Sequence, residues 1–243
     1  MNPILSVIIN QSLYTGIFPD KLKTALVKPL HKKEQNNIFQ NYRPISLLPA
    51  ISKVFEKVVY KQVYDYFKRH KLLYGSQYGF REGHSTEHAS LELTDRIFLD
   101  LDRGDMPITI YLDFSKAFDM IDHSILIEKL YKYGFSGNCL QWFKSYLSNR
   151  TQCVQYLDCV SSPLPISKGV PQGSVLGPLL FIIFINDIHK CSDIFEFILY
   201  ADDTTITSPL ASFIKNHTST DTINIELNKL YHWIQINNIT GFK

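Results

Sequence analysis

The feature that most constrains the fold of this chain is an acidic pair set between two β-prone runs. Asp202 and Asp203 follow residues 197–200 (FILY) and precede residues 204–207 (TTIT). Both runs are rich in the β-branched and aromatic residues that favour strands. Neighbouring side chains of a strand point to opposite faces, so two adjacent aspartates can serve one site only where the backbone turns. The pattern therefore predicts a β-hairpin with an acidic tip.

A third aspartate ends another β-rich run. Asp113 follows residues 108–112 (ITIYL), after which the sequence is typical of a loop and then a helix. If this strand lies beside the hairpin, three carboxylates meet at one end of a sheet. Carboxylates beside apolar strands lose hydration and repel one another unless a cation or hydrogen bonds compensate. Oxygen ligands favour Mg²⁺ or Mn²⁺ over zinc, so the pattern indicates a divalent-metal site, although an isolated Asp-Asp pair is more typical of a solvated turn.

The charge of the chain is unevenly distributed along its 243 residues. Residues 1–90 carry 13 Lys and Arg against 6 Asp and Glu, whereas residues 91–243 carry 12 against 17. A basic first part suits contact with phosphates, and the acidic second part contains the predicted metal site. A solvated, lysine-rich helix face is the alternative explanation of the basic part. The length fits one domain or two closely packed subdomains with a sizeable core.

Cysteine spacing and hydropathy narrow the class of protein further. The cysteines are Cys139, Cys153, Cys159 and Cys191. They form no Cys-x-x-Cys pair, so structural zinc is not expected, and without a secretory signal we expect reduced thiols in an intracellular protein. The most apolar stretch, residues 175–185, is interrupted by glycine and proline and is shorter than a membrane span. It predicts a buried helix, and no membrane partner is expected.

Periodicity predicts a mixture of helices and strands. The predicted helices are residues 51–67, 86–101, 125–133, 139–147, 175–185 and 221–237. The predicted strands are residues 108–112, 152–156, 197–200 and 204–207. Ser124 is expected to cap the helix that begins at residue 125, and Gly134 to end it. The order predicts helices on a small, largely antiparallel sheet.

Five motifs follow one another along the chain. They are NYRPISLL at residues 41–48, QYGFR at 77–81, LDFSKAFD at 112–119, GVPQGSVLGP at 169–178 and YADD at 200–203. In this order and spacing they resemble the reverse transcriptases of non-LTR, LINE-type retrotransposons, especially the jockey-like group. Each motif alone is weak, but five in order argue strongly against coincidence. The resemblance extends from about residue 16 to about residue 233.

This resemblance implies an α+β fold, namely the fingers and palm of a right-hand polymerase. An antiparallel palm sheet would carry helices, and the thumb would be missing. Residues 1–90 would form an N-terminal extension and the fingers region. Residues 91–240 would form the palm with interspersed fingers segments, so that the whole is one reverse transcriptase domain truncated at its C-terminus.

The resemblance also implies an activity, RNA-directed DNA polymerisation by two-metal phosphoryl transfer. The implied cofactors are two Mg²⁺ ions, with Mn²⁺ as a substitute. The implied partners are an RNA template, a DNA primer, deoxynucleoside triphosphates and the other domains of a parent element polyprotein. Retrotransposition would place the reaction in the nucleus.

Individual residues take their implied roles from the motifs. Asp113 corresponds to the first catalytic aspartate, and Asp202 and Asp203 to the acidic pair, so that all three would bind metal. Other residues would contact the substrates. These are Arg43 at the triphosphate with help from Lys32 or Lys33, Phe118 against the ribose 2′-hydroxyl, Gln172 near the nucleotide and template, and Arg81 and Gly173 at the template or primer.

Each of these substrate contacts has a simpler structural alternative. Phe118 fits a core aromatic at the start of a helix, and Arg43 fits an exposed ion pair in the extended backbone before a proline. Gln172 lies in a predicted turn, where an amide side chain is ordinary. Asp119 and Asp122 are expected to cap the next helix rather than to bind metal.

Two other functions compete with the leading one. An RNA-dependent RNA polymerase or intron-maturase relative would share the acidic strand and hairpin, although Phe118 argues against ribonucleotides. A catalytically inactive, truncated nucleic-acid-binding remnant would keep salt-sensitive binding through the basic first part and lose metal-dependent extension.

Overall fold

The structure is a computed structural model that describes residues 3–239, except for residues 33, 34, 115 and 215–218. The chain divides into two compact units, each drawn from two stretches of sequence. The first unit lies within Met1–Tyr66 and Ile121–Leu180, and the second within Phe67–Met120 and Phe181–Lys243. Each unit contains a β-sheet of its own.

Helices and strands alternate irregularly along the chain. The helices are α1 (Pro3–Thr15), α2 (Ala50–Arg69), α3 (Thr86–Asp102), α4 (Ala117–Met120), α5 (His123–Lys132), α6 (Gly137–Leu147), α7 (Gly177–Ile185), α8 (Ala211–Ile214) and α9 (Ser219–Ile236). The strands are β1 (Thr24–His31), β2 (Tyr42–Leu47), β3 (Pro107–Asp113), β4 (Arg150–Tyr156), β5 (Cys159–Val160), β6 (Leu164–Ile166), β7 (Glu196–Tyr200) and β8 (Asp203–Pro209). Short 3-10 helices cover Asp20–Leu22, Phe39–Asn41 and Ile188–Cys191.

The sheet of the first unit is mixed. Its strands run in the order β2-β1-β4-β5, and β6 also pairs with β4. The β1–β4 pair is parallel and the others are antiparallel. This sheet was not predicted from the sequence, in which only residues 152–156 were expected to be a strand.

Aromatic packing forms the core of the first unit. The ring of Phe18, which is fully buried, contacts three other rings edge-on. These are Phe55 on α2 and Trp142 and Tyr146 on α6, at centroid distances of 5.9, 5.4 and 5.1 Å. Edge-to-face pairs of this kind contribute beyond the area that they bury. The loop before β1 is thereby joined to two helices.

The sheet of the second unit is antiparallel throughout, with strand order β3-β8-β7. Alternate residues on one face, among them Phe197, Leu199 and Ile206, are buried in the core of this unit. On the opposite face α3 lies against all three strands. The sequence prediction of a small antiparallel sheet with helices is confirmed in this unit.

Most of the predicted elements are found within a few residues of their expected ends. The hairpin strands are β7 and β8, and the strand that ends at Asp113 is β3. The apolar stretch forms α7, which begins at Gly177 and whose residues 179–185 are each at most 2 % exposed. Among the described helices, none is both long and apolar enough to cross a membrane.

One predicted cap is wrong. The helix expected to start after Ser124 starts at His123, and its N-cap is Asp122. The Asp122 carboxylate accepts hydrogen bonds from the backbone N–H groups of Ser124, at 3.0 Å, and Ile125, at 3.3 Å. A carboxylate here also interacts favourably with the positive end of the helix dipole. Asp122 therefore has the capping role that the sequence offered as the alternative to metal binding, and Gly134, with φ of +96°, follows the end of the helix as expected.

Replacing the observed cap should destabilise the protein, whereas replacing the predicted one should not. We expect Asp122→Ala to lower the free energy of unfolding by about 1 kcal/mol, because two N–H groups lose their acceptor. Ser124→Ala, the matched control, should change it by less than about 0.5 kcal/mol. Urea denaturation of both variants measures the difference. An equal or larger loss in Ser124→Ala would contradict this assignment.

Candidate active site

The acidic hairpin of the second unit has a two-residue tip. Tyr200 pairs with Asp203, which leaves Ala201 and Asp202 between the strands. Ala201 has a φ of +58°, whereas Asp202 is not among the residues with positive φ. A positive φ at the first tip residue alone is the pattern of a type II′ turn, where glycine is usual. The adjacent aspartates therefore lie where the backbone turns, as the sequence predicted.

Strand pairing brings the third aspartate to the same end of the sheet. Asp113, the last residue of β3, lies directly opposite Asp203, the first residue of β8. Both side chains are exposed. Directly opposed residues of antiparallel strands have Cβ atoms about 4.5–5.5 Å apart, and like charges in this arrangement are destabilising. Two carboxylates are thus held side by side on one face, with Asp202 next to them in the tip.

An open groove begins at this acidic end. It lies between α3 and the sheet and has a volume of about 240 Å³. Asp203 lines it together with Tyr111, Tyr200 and Thr205 from the strands and Thr86 at the start of α3. The carboxylate of Asp203 is therefore accessible on the groove face of the sheet.

The donor set suits a hard divalent cation. Carboxylate oxygens are the ligands that Mg²⁺ and Mn²⁺ prefer, and the register of β3 with β8 places two of them opposite one another. A cation between them would relieve their repulsion. In the described ranges, no three His, Cys, Asp or Glu side chains are drawn together closely enough to form a metal-binding group. The metal-binding role of Asp113, Asp202 and Asp203 stays a prediction that rests on register and chemistry.

Phe118 and Arg81 also belong to the second unit, and both make contacts within it. Phe118 on α4 is half-buried, and its ring stacks on Phe181 at 5.1 Å and meets the exposed Phe80 edge-on at 5.9 Å. The guanidinium of Arg81 donates to the backbone carbonyls of Tyr74, Gly75 and Gln77, at 2.9, 3.2 and 2.9 Å. Arg81 thus holds the segment of residues 74–77, whereas the contacts of both residues with nucleotide, template or primer stay predictions.

The basic residues predicted to bind triphosphate lie in the first unit. Arg43 is exposed on β2, opposite Leu30 of β1. Lys32, also exposed, follows β1, and its backbone N–H donates to the carbonyl of Asn41 at 2.8 Å. Arg43 and Lys32 therefore belong to the same end of the β1–β2 pair, whereas Lys33 lies outside the described residues. Their role at a triphosphate stays a prediction.

The loop that carries Gln172 is fixed to β2. The backbone carbonyl of Gln172 accepts from the N–H of Ser46 at 2.7 Å. Gly173 has a φ of +126°, and a Cβ added there would lie 2.6 Å from the Ser46 carbonyl oxygen. Only glycine fits such a backbone and such a close approach. The loop therefore packs closely against β2. Gln172 is held beside this strand, which also carries Arg43.

A buried glutamate on α2 holds the end of the same loop. Glu56 is fully buried and accepts hydrogen bonds from Ser52 Oγ at 2.9 Å and from the N–H groups of Val175 at 2.6 Å and Leu176 at 3.2 Å. Sequence reasoning missed this residue. The available signal was a glutamate four residues after a serine on the otherwise apolar face of α2, a position where an ionised group needs partners.

Gly173 should tolerate no side chain. We expect Gly173→Ala to lower the free energy of unfolding by about 1–3 kcal/mol, because alanine must adopt a backbone conformation that is essentially restricted to glycine. The matched control is Gly75→Ala, where an added Cβ meets no atom within 4 Å. It should change stability by less than about 0.5 kcal/mol. Thermal and urea unfolding of both variants measure this, and equal effects would contradict the close approach to Ser46.

Comparison with known proteins identifies the family. Residues 30–230 match the family model described as reverse transcriptase (RNA-dependent DNA polymerase). The chain is 36% identical over 185 residues to the probable RNA-directed DNA polymerase from transposon BS of Drosophila melanogaster. It is 31% identical over 219 residues to the RNA-directed DNA polymerase from mobile element jockey of the same species. These alignments cover 76% and 86% of the chain but only 20% and 24% of the relatives, so the chain spans about a fifth of their length.

The fold is shared with solved telomerase structures. Telomerase from Candida albicans, in complex with a fragment of telomeric RNA, superposes with a TM-score of 0.60 over 95% of this chain and 43% of its own, at 13% identity. Apo telomerase from Candida tropicalis gives 0.58 over 97% and 47%, at 12% identity. These superpositions confirm the mixed α+β fold expected of polymerase fingers and palm. Together with the five ordered motifs, the family match shows that the chain belongs to the reverse transcriptase (RNA-dependent DNA polymerase) family.

Proposed function

We propose that this chain is the polymerising core of an RNA-directed DNA polymerase of a mobile element. It would add deoxynucleotides to a DNA primer along an RNA template. The observation that carries the proposal is the pairing of Asp113 with Asp203, beside Asp202 in the hairpin tip. This pairing gathers the acidic residues of two separate family motifs at one end of one sheet.

The three aspartates would hold the divalent cations. Asp113 and Asp202 are assigned as the main ligands, with Asp203 as an additional ligand or an orienting group. When bound, two Mg²⁺ ions supply activation of the primer 3′-hydroxyl and charge neutralisation at the triphosphate. The exposed position of Asp113 and Asp203 leaves their oxygens available to such ions.

Residues of the first unit would bind the incoming nucleotide. Arg43 and Lys32 carry positive charge at the same end of the β1–β2 pair and suit a triphosphate. Gln172 would contact the nucleotide and template from its fixed loop, with Gly173 allowing close approach.

In the second unit, Phe118 would exclude a ribose 2′-hydroxyl by its bulk. Arg81, which donates to backbone carbonyls of residues 74–77, would contact the template or primer.

Recognition of the template would depend on shape and charge rather than on sequence. The edges of bases in an A-form duplex are poorly accessible to side chains, so backbone and 2′-hydroxyl contacts dominate. The basic balance of residues 1–90 fits such contacts. Binding should therefore weaken steeply with salt as counterions are released. The rest of a longer polyprotein would supply further contacts, because the relatives extend well beyond this chain.

Primer extension tests the proposed activity. Purified protein should extend a DNA primer on an RNA template with Mg²⁺ and deoxynucleotides, and not with ribonucleotides. Asp202→Asn/Asp203→Asn should lose more than about 99% of this rate, because the cations lose their ligands. Asp95→Asn, an exposed carboxylate on α3, is the matched control and should keep it. A folded wild type that binds duplex without extending it would contradict the proposal and favour a non-catalytic nucleic-acid-binding protein.

Activity and stability should change in opposite directions in Asp113→Asn. Extension should be lost, whereas the free energy of unfolding in EDTA should rise by about 0.2–1 kcal/mol, because a like-charge pair across the strands is removed. Divalent cations should then stabilise the wild type more than the variant. Urea unfolding with and without Mg²⁺ measures both effects. A variant that is less stable than the wild type in EDTA would contradict the repulsion between Asp113 and Asp203.

A further inference from the structure

The tip of the acidic hairpin contacts a segment that lies far from it in the sequence. Residues 76–79, here called the support strand, run parallel to the end of β7. The N–H of Leu199 donates to the carbonyl of Ser76 at 2.8 Å, and the N–H of Tyr78 donates to the carbonyl of Leu199 at 2.7 Å. These two bonds make a single parallel bridge, between Gln77 and Leu199, in the same unit as the three aspartates.

Gln77 of the support strand bonds directly to the tip. Its side chain is buried, and its Oε1 accepts from the N–H of Gly79 at 2.8 Å and from the N–H of Ala201 at 3.2 Å. The first N–H of a two-residue hairpin tip has no partner within the hairpin itself. Ala201 is also buried, where an unsatisfied N–H is costly. The amide of Gln77 therefore satisfies a donor that the hairpin leaves unpaired.

Gly79 of the support strand permits this contact. A Cβ at Gly79 would lie 2.7 Å from Ala201 Cα and even closer to its backbone nitrogen. The support strand and the tip are thus packed backbone against backbone. Ala201 also carries a φ of +58°, which is strained for alanine and persists only where surrounding contacts hold it.

The support strand is itself held by α3. Glu92 accepts hydrogen bonds from Tyr78 Oη and, at 2.7 Å, from Ser76 Oγ, and it forms an ion pair with Arg96. Burial and the hydrogen bond to Glu92 raise the pKa of Tyr78 to about 12, so this hydrogen bond is kept into the alkaline range. Together with Arg81, which donates to the carbonyl of Gln77, these contacts fix the support strand in place.

We propose that Gln77 is a positioning residue: its amide oxygen holds Ala201 and thereby sets where Asp202 and Asp203 present their carboxylates. The consequence for metal binding rests on the proposed function, whereas the hydrogen bond to the tip does not. The Nε2 group of Gln77 is buried with no hydrogen-bond partner among the residues that the structure describes. The oxygen is therefore the part of the side chain that acts on the tip.

Two substitutions separate the oxygen from the rest of the side chain. Gln77→Met keeps the length and removes the acceptor, whereas Gln77→Glu keeps an oxygen that can accept both N–H groups. The control is Asn237→Leu, which removes another buried amide of the second unit that bonds to the Trp233 carbonyl and not to the tip. The full chain is used throughout.

Amide hydrogen exchange in metal-free buffer is the first readout. In the wild type, the Ala201 N–H should exchange at least about tenfold more slowly than an unstructured amide, since opening must first break its bond. Gln77→Met should remove this protection, while Gln77→Glu and Asn237→Leu keep it. An unprotected Ala201 in the wild type would overturn the proposal even if Gln77→Met does not fold. Equal loss in Gln77→Met and Asn237→Leu would also overturn it.

Binding of Mn²⁺, followed by electron paramagnetic resonance, is the second readout. Gln77→Met should weaken binding by about tenfold, as expected when one hydrogen bond no longer fixes the ligands. Gln77→Glu should restore most of the affinity. Unchanged affinity in Gln77→Met would overturn the positioning role. A wild type that protects Ala201 but binds no Mn²⁺ would instead contradict the proposed function, while the hold on the tip would stand.

Discussion

The pairing of β3 with β8 is the interaction on which the candidate active site depends. Its register places Asp113 directly opposite Asp203, and the short hairpin that follows adds Asp202 at the same end. This arrangement concentrates negative charge, which opposes folding, so it needs compensation from a rigid scaffold. The buried face of the same sheet, with Phe197, Leu199 and Ile206, provides that rigidity through apolar burial. The acidic end is therefore held by packing on one face and remains open on the other.

In each unit, a buried polar side chain holds a loop that is predicted to be functional. In the first unit, Glu56 accepts from the backbone after Gln172, and Gly173 allows the loop to lie against Ser46. In the second unit, Gln77 accepts from the backbone before Asp202, and Gly79 allows the close approach. A buried acceptor and a nearby glycine recur in both places. Such loops carry predicted substrate contacts while their backbones are held by elements distant in the sequence.

The sequence predicted those parts of the fold that depend on local patterns. The long helices and the hairpin strands show clear periodicity, and they were found within a few residues of their expected ends. The mixed sheet of the first unit was missed because β1 and β2 contain prolines, Pro29 and Pro44, which pair with each other and break the usual strand pattern. Its parallel partner β4 lies more than a hundred residues away, beyond the reach of any local signal. The cap was assigned to Ser124 rather than Asp122 because the helix starts earlier than its apolar pattern.

The site was predictable to the extent that it consists of motif residues. The aspartates stood out because charge follows apolar strand residues, and the structure places them at one end of a sheet. The roles of Gln77, although it lies in the QYGFR motif, and of Glu56 were not predicted, because each acts on a backbone group 124 or 119 residues away. Local composition indicates at most that a residue needs partners, as Glu56 does on the otherwise apolar face of α2, and not which distant backbone group it contacts. The substrate contacts of Phe118 and Arg81 stay predictions; within their own unit, Phe118 contacts Phe181 and Arg81 donates to the Tyr74 carbonyl.

Asp113, Asp202 and Asp203 are proposed to form one site for divalent cations. A crystal structure of the protein with Mn²⁺, using anomalous scattering to locate the metal, tests it most directly. We expect anomalous density within coordination distance of the Asp113 and Asp202 carboxylates, at the end of the β3–β8 pair. Density at other acidic residues, with none beside Asp113, would contradict it.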